Sequence, residues 1–443
     1  MGHAGRRQVQ VLTLTANSGK VTGHLRVPRF FCLDFFKGFD VLISPRSLVI
    51  LFIGTLTEIA AASTLRIASY NVSLYRDSEG GLRHDLARGD DKQIQGVAAV
   101  LQQIRPDIVL LNEFDYDPEG PSLLLANYLA RSQAGGEPLD YAHHFIAPSN
   151  TGVPSGVDLD RNGRIEGGND ALGFGRFPGQ YGMLVLSRWP IDTEASRTFR
   201  QFLWRDMPKN LIPPDWYSPE ALAVLPLSSK SHWDVVIRLP ETREASPRSL
   251  HLLASHPTPP GFDGPEDRNG RRNHDEIRIW ADYISGGSRA AYLIDDQGRR
   301  GGLASEASFV IAGDLNADPL DGGSVPGAIA QLLEHPRVHP DVARGSLIPR
   351  SEGAAAAARR QGGPNLTHRG DPAFDTGDFD DRTGSVGNLR VDYVLPSTDL
   401  TVCASGVVWP TEETGPAMSS DHRLVWIDVA LPGQRCPSVS SKP

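Results

Sequence analysis

The 443-residue sequence carries no excess of positive charge: 44 Lys and Arg stand against 53 Asp and Glu, a formal net of −9. A chain of that sign has no global basic field to gather polyanions, so a phosphate-bearing ligand must be held locally, by a metal ion or a few placed cations. An uninterrupted apolar run of the roughly 20 residues needed to span a membrane is also missing. The run Leu48 to Leu56 is broken early by threonines and Glu58. There is no internal repeat at a fixed period and no Pro/Ser-rich linker, which leaves one large domain as the simplest partition. Cysteine is scarce, with three residues in all. Cys403 and Cys436 bracket the last predicted strand and either pair in an oxidising compartment or remain two free thiols.

What is present is an ordinary globular composition, 40% hydrophobic, long enough to bury a large core. Near the start, LVILFIGTL (Leu48 to Leu56) follows Arg46 and leads into Ala60, Ala61, Ala62 and Ser63. That is the charge, apolar core and small-residue cleavage site of a secretory signal. Signals of this kind run about 15–30 residues, so residues 1–62 read as a leader whose signal occupies about 41–62, with translation expected to begin near Val41 or Leu42. Cleavage after Ala62 leaves 37 Lys and Arg against 50 Asp and Glu, a net of −13, and removes Cys32. The expected product, residues 63–443, is secreted or periplasmic and keeps no stable membrane span.

Beyond the leader the pattern alternates. Strand-like Leu65 to Val72 precedes a helical stretch, Asp91 to Ile104, and then the apolar run Asp107 to Asn112. This βαβ rhythm is that of an α/β protein with a mixed or parallel sheet. Further strands are predicted at Met183–Ser187, Trp233–Leu239, Leu250–His256, Phe309–Asp314, Leu389–Leu395 and Leu424–Val429. Helices are predicted at Pro121–Arg131, Asn273–Ile284 and Val325–Glu334. Two long stretches, Ser149–Gln180 and Gly345–Gly387, lack periodicity and read as loops; the second contains the low-complexity run AAAAARR.

Polar residues recur at the ends of these strands, where an α/β sheet presents its ligand site. They are Asn71 in IASYNV, Glu113 in DIVLLNEFD, His256 in LLASHPTPP, Asp314 and Asn316 in VIAGDLNADP, Asp392 in LRVDYVLPS, and Asp421 with His422 in SSDHRLVW. Singly, each is explained by a turn. Together, acidic and imidazole groups at one sheet edge suit a hard divalent cation and acid/base chemistry.

The order N, E, H, GDLNA, DY, SDH resembles the motifs of the endonuclease/exonuclease/phosphatase superfamily over nearly all of Leu65 to Val429. The resemblance implies a four-layer sandwich, two packed mixed β-sheets flanked by helices, with the site at one end. It implies that Glu113 is the main ligand of Mg²⁺ or Mn²⁺, with Asn71 and Asp421 completing the cation site directly or through water. It implies a dyad of Asp392 and His422, a water- or phosphate-orienting pair of Asp314 and Asn316, and a second histidine, His256, at the leaving or phosphoryl oxygen. His422 and Asp314 both remain candidates for the general base. Tyr181 resembles a phosphate-contacting tyrosine, although a packed aromatic explains it as well. Arg268, Arg271 and Arg272 either clamp substrate phosphates or form a solvated charge run.

In the first loop, Asp158, Asp160, Asn162 and Gly163 reproduce the opening of a calcium-binding loop, DLDRNGRI. The twelfth position is Asn169 rather than a bidentate Glu, so structural Ca²⁺ and an Asx-rich turn both stand.

The expected activity is phosphodiester hydrolysis by metal-assisted attack of water. Extracellular nucleic acid is the first substrate expectation, because the HPTPP context of His256 resembles the secreted-nuclease branch. Phosphomonoesters and phospholipid diesters, of inositol-phosphate or sphingomyelin type, are the alternatives. A non-catalytic secreted binding protein would lack core residues, and none is missing. No protein partner is inferred.

Overall fold

A computed structural model describes residues 64–239, 248–410, 419–431 and 434–437. The expected signal and cleavage site lie outside them. Two mixed sheets stack face to face. The first has the strand order β10-β11-β1-β2-β4-β3, from β1 (Thr64–Leu74), β2 (Ile108–Phe114), β3 (His143–Phe145), β4 (Met183–Ser187), β10 (Val402–Val407) and β11 (Val425–Ala430). The second runs β5-β6-β7-β8-β9, from β5 (Ile191–Thr198), β6 (His232–Arg238), β7 (Ser249–Ser255), β8 (Ser308–Asp314) and β9 (Asp392–Pro396). Within each sheet one central pair is parallel, β1 with β2 and β7 with β8, and the remaining pairs are antiparallel.

Side-chain alternation builds the layers. Along β1, Leu65 and Ile67 point between the sheets, where Ile108, Val185, Val235, Leu252, Val310 and Ile427 meet them. Ala68, Tyr70 and Val72 point outward, onto α1 (Gly81–Arg88) and α2 (Lys92–Ile104). Such alternation lets one strand feed two apolar layers, each fully buried aliphatic side chain contributing about 1.5–3 kcal/mol. On the far side, Phe309, Ile311 and Leu395 pack on Ile277, Trp280 and Tyr283 of an 18-residue helix, Arg268–Ser285. The Asp91 carboxylate accepts the Ile94 N–H at 2.9 Å and starts α2, and Arg105, at φ +53°, ends it.

Three expectations are corrected. The alanine run is no loop: Ser351 caps a helix, Glu352–Gln361, that buries Ala354, Ala357 and Ala358. The helix expected over Pro121–Arg131 is a single turn, Gly120–Leu124, followed by a π turn, Leu125–Leu129. The one expected over Val325–Glu334 shrinks to Ala330–Leu333. β5 and β10 went unread because IDTEASRT and VCASGV carry almost no apolar alternation. Cys403, on β10, is disulfide-bonded to Cys436, which decides the open alternative in favour of the pair.

Candidate active site

The strand-end residues meet at one end of the sandwich because of the mixed topology. Parallel β1, β2, β7 and β8 arrive with their C-terminal ends, carrying Asn71, Glu113, His256 and Asp314. Antiparallel β6, β9 and β11 begin at the same edge, so the residues that open or precede them, Lys230, Asp392, Asp421 and His422, join the group.

Asp314 is the hub. One of its oxygens, Oδ2, accepts from Asn71 Nδ2 at 3.1 Å and lies 3.4 Å from His256 Nε2 and 3.6 Å from His422 Nε2. The other, Oδ1, accepts the Asn316 N–H at 2.9 Å. The second nitrogen of His422, Nδ1, is 2.8 Å from Asp392 Oδ2, so the imidazole spans two carboxylates. Burial works against charge on His422, yet Asp392 and Asp314 overcome it and push the imidazole up to about 10. Burial drives His256 the other way, down to about 4, with Lys230 adding to the effect. Asp314 is held below the usual carboxylate range despite its burial, because His422 and His256 flank it.

Glu113 stands opposite. Burial pushes its carboxyl up to about 7, and Asp314 and Asp421 add to the rise against the opposing pull of His422 and Asn71. A half-buried carboxylate with raised affinity for its proton beside two other carboxylates calls for a cation, and the donor set of Glu113, Asp421 and Asp314 is all oxygen, as a hard divalent cation prefers. Asn71 is turned with its amide nitrogen toward Asp314, while its oxygen accepts the Ser73 N–H at 3.1 Å. Ser73 Oγ donates to Asp421 at 2.9 Å, tying that carboxylate to β1. Glu113, Asn316, Tyr181 and Ser73 all have φ between +49° and +59°. Left-handed backbone at four residues of one site is strain of the kind that clusters where function fixes geometry.

Most of these groups line a cleft of 620 Å³, with Asn71, Ser73 and Asp392 behind its lining. Glu113, His256, Asp314, Asn316, Asp421, His422, Tyr181 and Arg272 all border it. Arg272 is not a free phosphate clamp: its guanidinium is buried and donates to the carbonyls of Leu227, Leu172 and Pro226 at 2.7–2.9 Å. Arg271 is not among the lining residues; Arg268, one helical turn before Arg272, is. Tyr181 packs against Tyr75 with ring centroids 4.7 Å apart and planes tilted by 48°, so it is packed and also faces the cleft.

Two lining residues escaped the sequence reading. Lys230 is only 7% exposed. Burial pulls its ammonium below the ordinary value, against Glu276, Glu113 and Asp314. Glu276 accepts from Ser229 N and from Thr258 N, both at 2.6 Å, and so fixes the loops carrying Lys230 and His256. The sole charge between Leu225 and Trp233 was the available signal. Phe379, from the second long loop, meets the His422 ring edge-on at 5.3 Å.

Asp158, Asp160 and Asp170 converge, their nearest oxygens all within 4.8 Å of one another. Asp170 takes the place expected for Asn169, whose amide instead donates to Asp160 at 3.0 Å. The Asn162 side-chain oxygen is occupied by the Arg164 N–H at 2.8 Å.

The sequence profile described as "Endonuclease/Exonuclease/phosphatase family" matches residues 68–422, four-fifths of the chain and every strand-end group above. The chain belongs to this family. Like its members, this endonuclease/exonuclease/phosphatase protein is a metal-dependent hydrolase of phosphoester bonds. No curated protein sequence matches it. Solved structures similar to it include an endonuclease/exonuclease/phosphatase from Beutenbergia cavernae, at 19% identity and a TM-score of 0.44, covering 84% of this chain and 72% of that one. Sphingomyelinase C from Streptomyces griseocarneus is similar at 15% identity and a TM-score of 0.39, covering 83% and 100%. TDP2 from Caenorhabditis elegans is similar at 13% and 0.36, covering 85% and 78%. Among the described residues no helix is long and apolar enough to cross a membrane.

Proposed function

We propose that this protein is an exported phosphodiesterase whose reacting phosphate sits between Glu113 and the Asp314–His422 pair. The observation that carries this reading is one carboxylate oxygen, Asp314 Oδ2, within 3.6 Å of two imidazoles with opposite tendencies. Mg²⁺ or Mn²⁺ held by Glu113 and Asp421, with Asn71 behind them, would neutralise phosphoryl charge. Asp314, kept ionised, orients and deprotonates the attacking water with the Asn316 backbone fixing its other oxygen. His422, kept charged by Asp392, faces the phosphoryl oxygens as a donor, and Lys230, buried in the cleft lining, adds a second donor. His256, neutral, serves the leaving-group side.

The Asp158–Asp160–Asp170 cluster, whose neighbours Leu159, Asn169 and Ala171 line the same cleft, fits a structural Ca²⁺. Export is supported by the signal-like run before Ser63 and by the disulfide. Purified protein with Mg²⁺ or Mn²⁺ should be assayed against bis(4-nitrophenyl) phosphate, 4-nitrophenyl phosphate, DNA, RNA and phospholipid. Faster release from the monoester than from every diester would contradict the reading.

A further inference from the structure

Outside the cleft, a second set of carboxylates gathers where the turn after β8 meets the stretch leading into β9. The turn carries Asp318 and Asp321; the stretch carries Asp371 and Asp375, on either side of a short 3₁₀ turn, Pro372–Phe374. Backbone amides hold three of the four. Asp318 accepts from Leu320 and Asp321 through Oδ1 and from Arg390 through Oδ2, all at 2.8 Å. Asp321 accepts the Arg369 and Gly370 N–H groups at 2.8–3.1 Å, and Asp371 Oδ1 accepts the Ala373 N–H at 3.0 Å. Asp375 differs. It is 7% exposed, and no donor or cation among the described residues reaches its carboxyl. Burial, and then Asp318, Asp321 and Asp371, push it up to about 8. The neighbouring guanidiniums serve the other end of the group: Arg390 faces Asp318, and that of Arg369 lies 3.8 Å from Asp321. A buried carboxyl with no donor and three acidic neighbours is costly, and a cation would satisfy it and offset its neighbours at once.

We propose that Asp375 and Asp371 bind a hydrated Mg²⁺ or Mn²⁺ directly, with Asp318 and Asp321 in its outer shell. The free oxygens choose between cations. Ca²⁺ takes about 6–8 oxygen ligands, whereas Mg²⁺ is held by one or two carboxylates and keeps several waters. Here the oxygens that accept no amide are both of Asp375 and one of Asp371, and Asp371 stands at the surface, where water completes the shell. The ion lies behind the dyad. Thr376, next to Asp375, accepts the Asp392 N–H at 2.9 Å through Oγ1 and the Arg423 N–H at 2.7 Å through its carbonyl. The Asp378 N–H donates to Asp421 O at 2.7 Å. Asp318 follows Asn316 by two residues. The cation thus ties the loop of Asn316 to the loop that supports Asp392 and Asp421, and serves them only by positioning.

The test counts bound metal and needs no substrate. Whole, metal-stripped protein is titrated with MnCl₂ at neutral pH, and free Mn²⁺ is read from its electron paramagnetic resonance signal. Glu113→Gln takes the catalytic cation out of the count, and the Asp158 loop, common to all variants, cancels in the difference. In the Glu113→Gln background, adding Asp375→Asn should remove one bound Mn²⁺ per chain. Its metal-free melting temperature should hold or rise, because an amide of the same shape replaces a buried acid among like charges. Asp371→Asn, a surface change, decides the matter even if Asp375→Asn fails to fold, and should weaken the same Mn²⁺ by about tenfold or more. Equal Mn²⁺ counts with and without folded Asp375→Asn overturn the proposal and leave Asp375 a buried acid that keeps its proton. An Mn²⁺ isotherm unchanged by Asp371→Asn overturns it as well.

Discussion

Asp314 and Asp392 are register partners across β8 and β9, and the His422 imidazole reaches both through different ring nitrogens. Two carboxylates at one sheet end would repel; the shared imidazolium offsets that repulsion and is itself held charged by it. The geometry therefore makes Asp392 a positioning residue for His422.

Asp392→Asn should return His422 toward the ordinary histidine value of about 6.5, visible by NMR titration of the metal-free protein. Turnover should drop by about 10²–10⁴. The sign of the stability effect follows. Because the folded His422 is raised, its contribution is complete below about 6.5 and is lost as pH climbs toward about 10. Wild type should lose melting temperature over that window more steeply than Asp392→Asn. Matching pH profiles would remove the coupling.

Lys230 offers a different kind of test. Lys230→Met keeps an unbranched side chain one atom shorter and deletes an amine whose desolvation opposes folding, so stability should hold or rise. Turnover of a diester should fall by about 10²–10³, as when one donor to a developing oxyanion is removed. A variant with full kcat and only a lower melting temperature would make Lys230 structural.

The aspartate loop predicts a cation effect without a catalytic one. Replacing Asp158 and Asp160 with Ala should abolish the rise in melting temperature on Ca²⁺ addition, since a ligand stabilises only the state that binds it. Diester hydrolysis in Mg²⁺ should persist. Identical Ca²⁺ titrations for wild type and variant would identify the loop as an Asx turn network.

Export predicts a mature chain beginning near Ser63. N-terminal sequencing of extracellular protein that still contains residues 41–60 would contradict it.

The site was legible where the chemistry coincides with a strand end. Glu113, Asp314 and His256 follow apolar runs and stand out, and the GDLNA and SDH motifs bring Asn316 and His422 with them. Lys230 was not legible, because a lysine before a strand looks like a solvated loop until the strand is known to be antiparallel. Arg271 and Arg272 misled for a related reason: adjacent helical residues face different ways, and Arg272 spends its donors on carbonyls. The fold was legible through periodicity in β1, β2 and β4. It failed at β5, whose polar face hides the alternation, and at the alanine run, where low complexity concealed a capped helix burying three alanines.

The most direct measurement is hydrolysis of bis(4-nitrophenyl) phosphate by chelator-treated wild type, Glu113→Gln and His422→Ala, each before and after addition of Mg²⁺ or Mn²⁺. Wild type should be silent without metal and active with it. Both variants should stay folded and remain lower by orders of magnitude, with Glu113→Gln partly recovering at high metal and His422→Ala not recovering. Near-normal turnover by either folded variant at ordinary metal concentration would contradict the account.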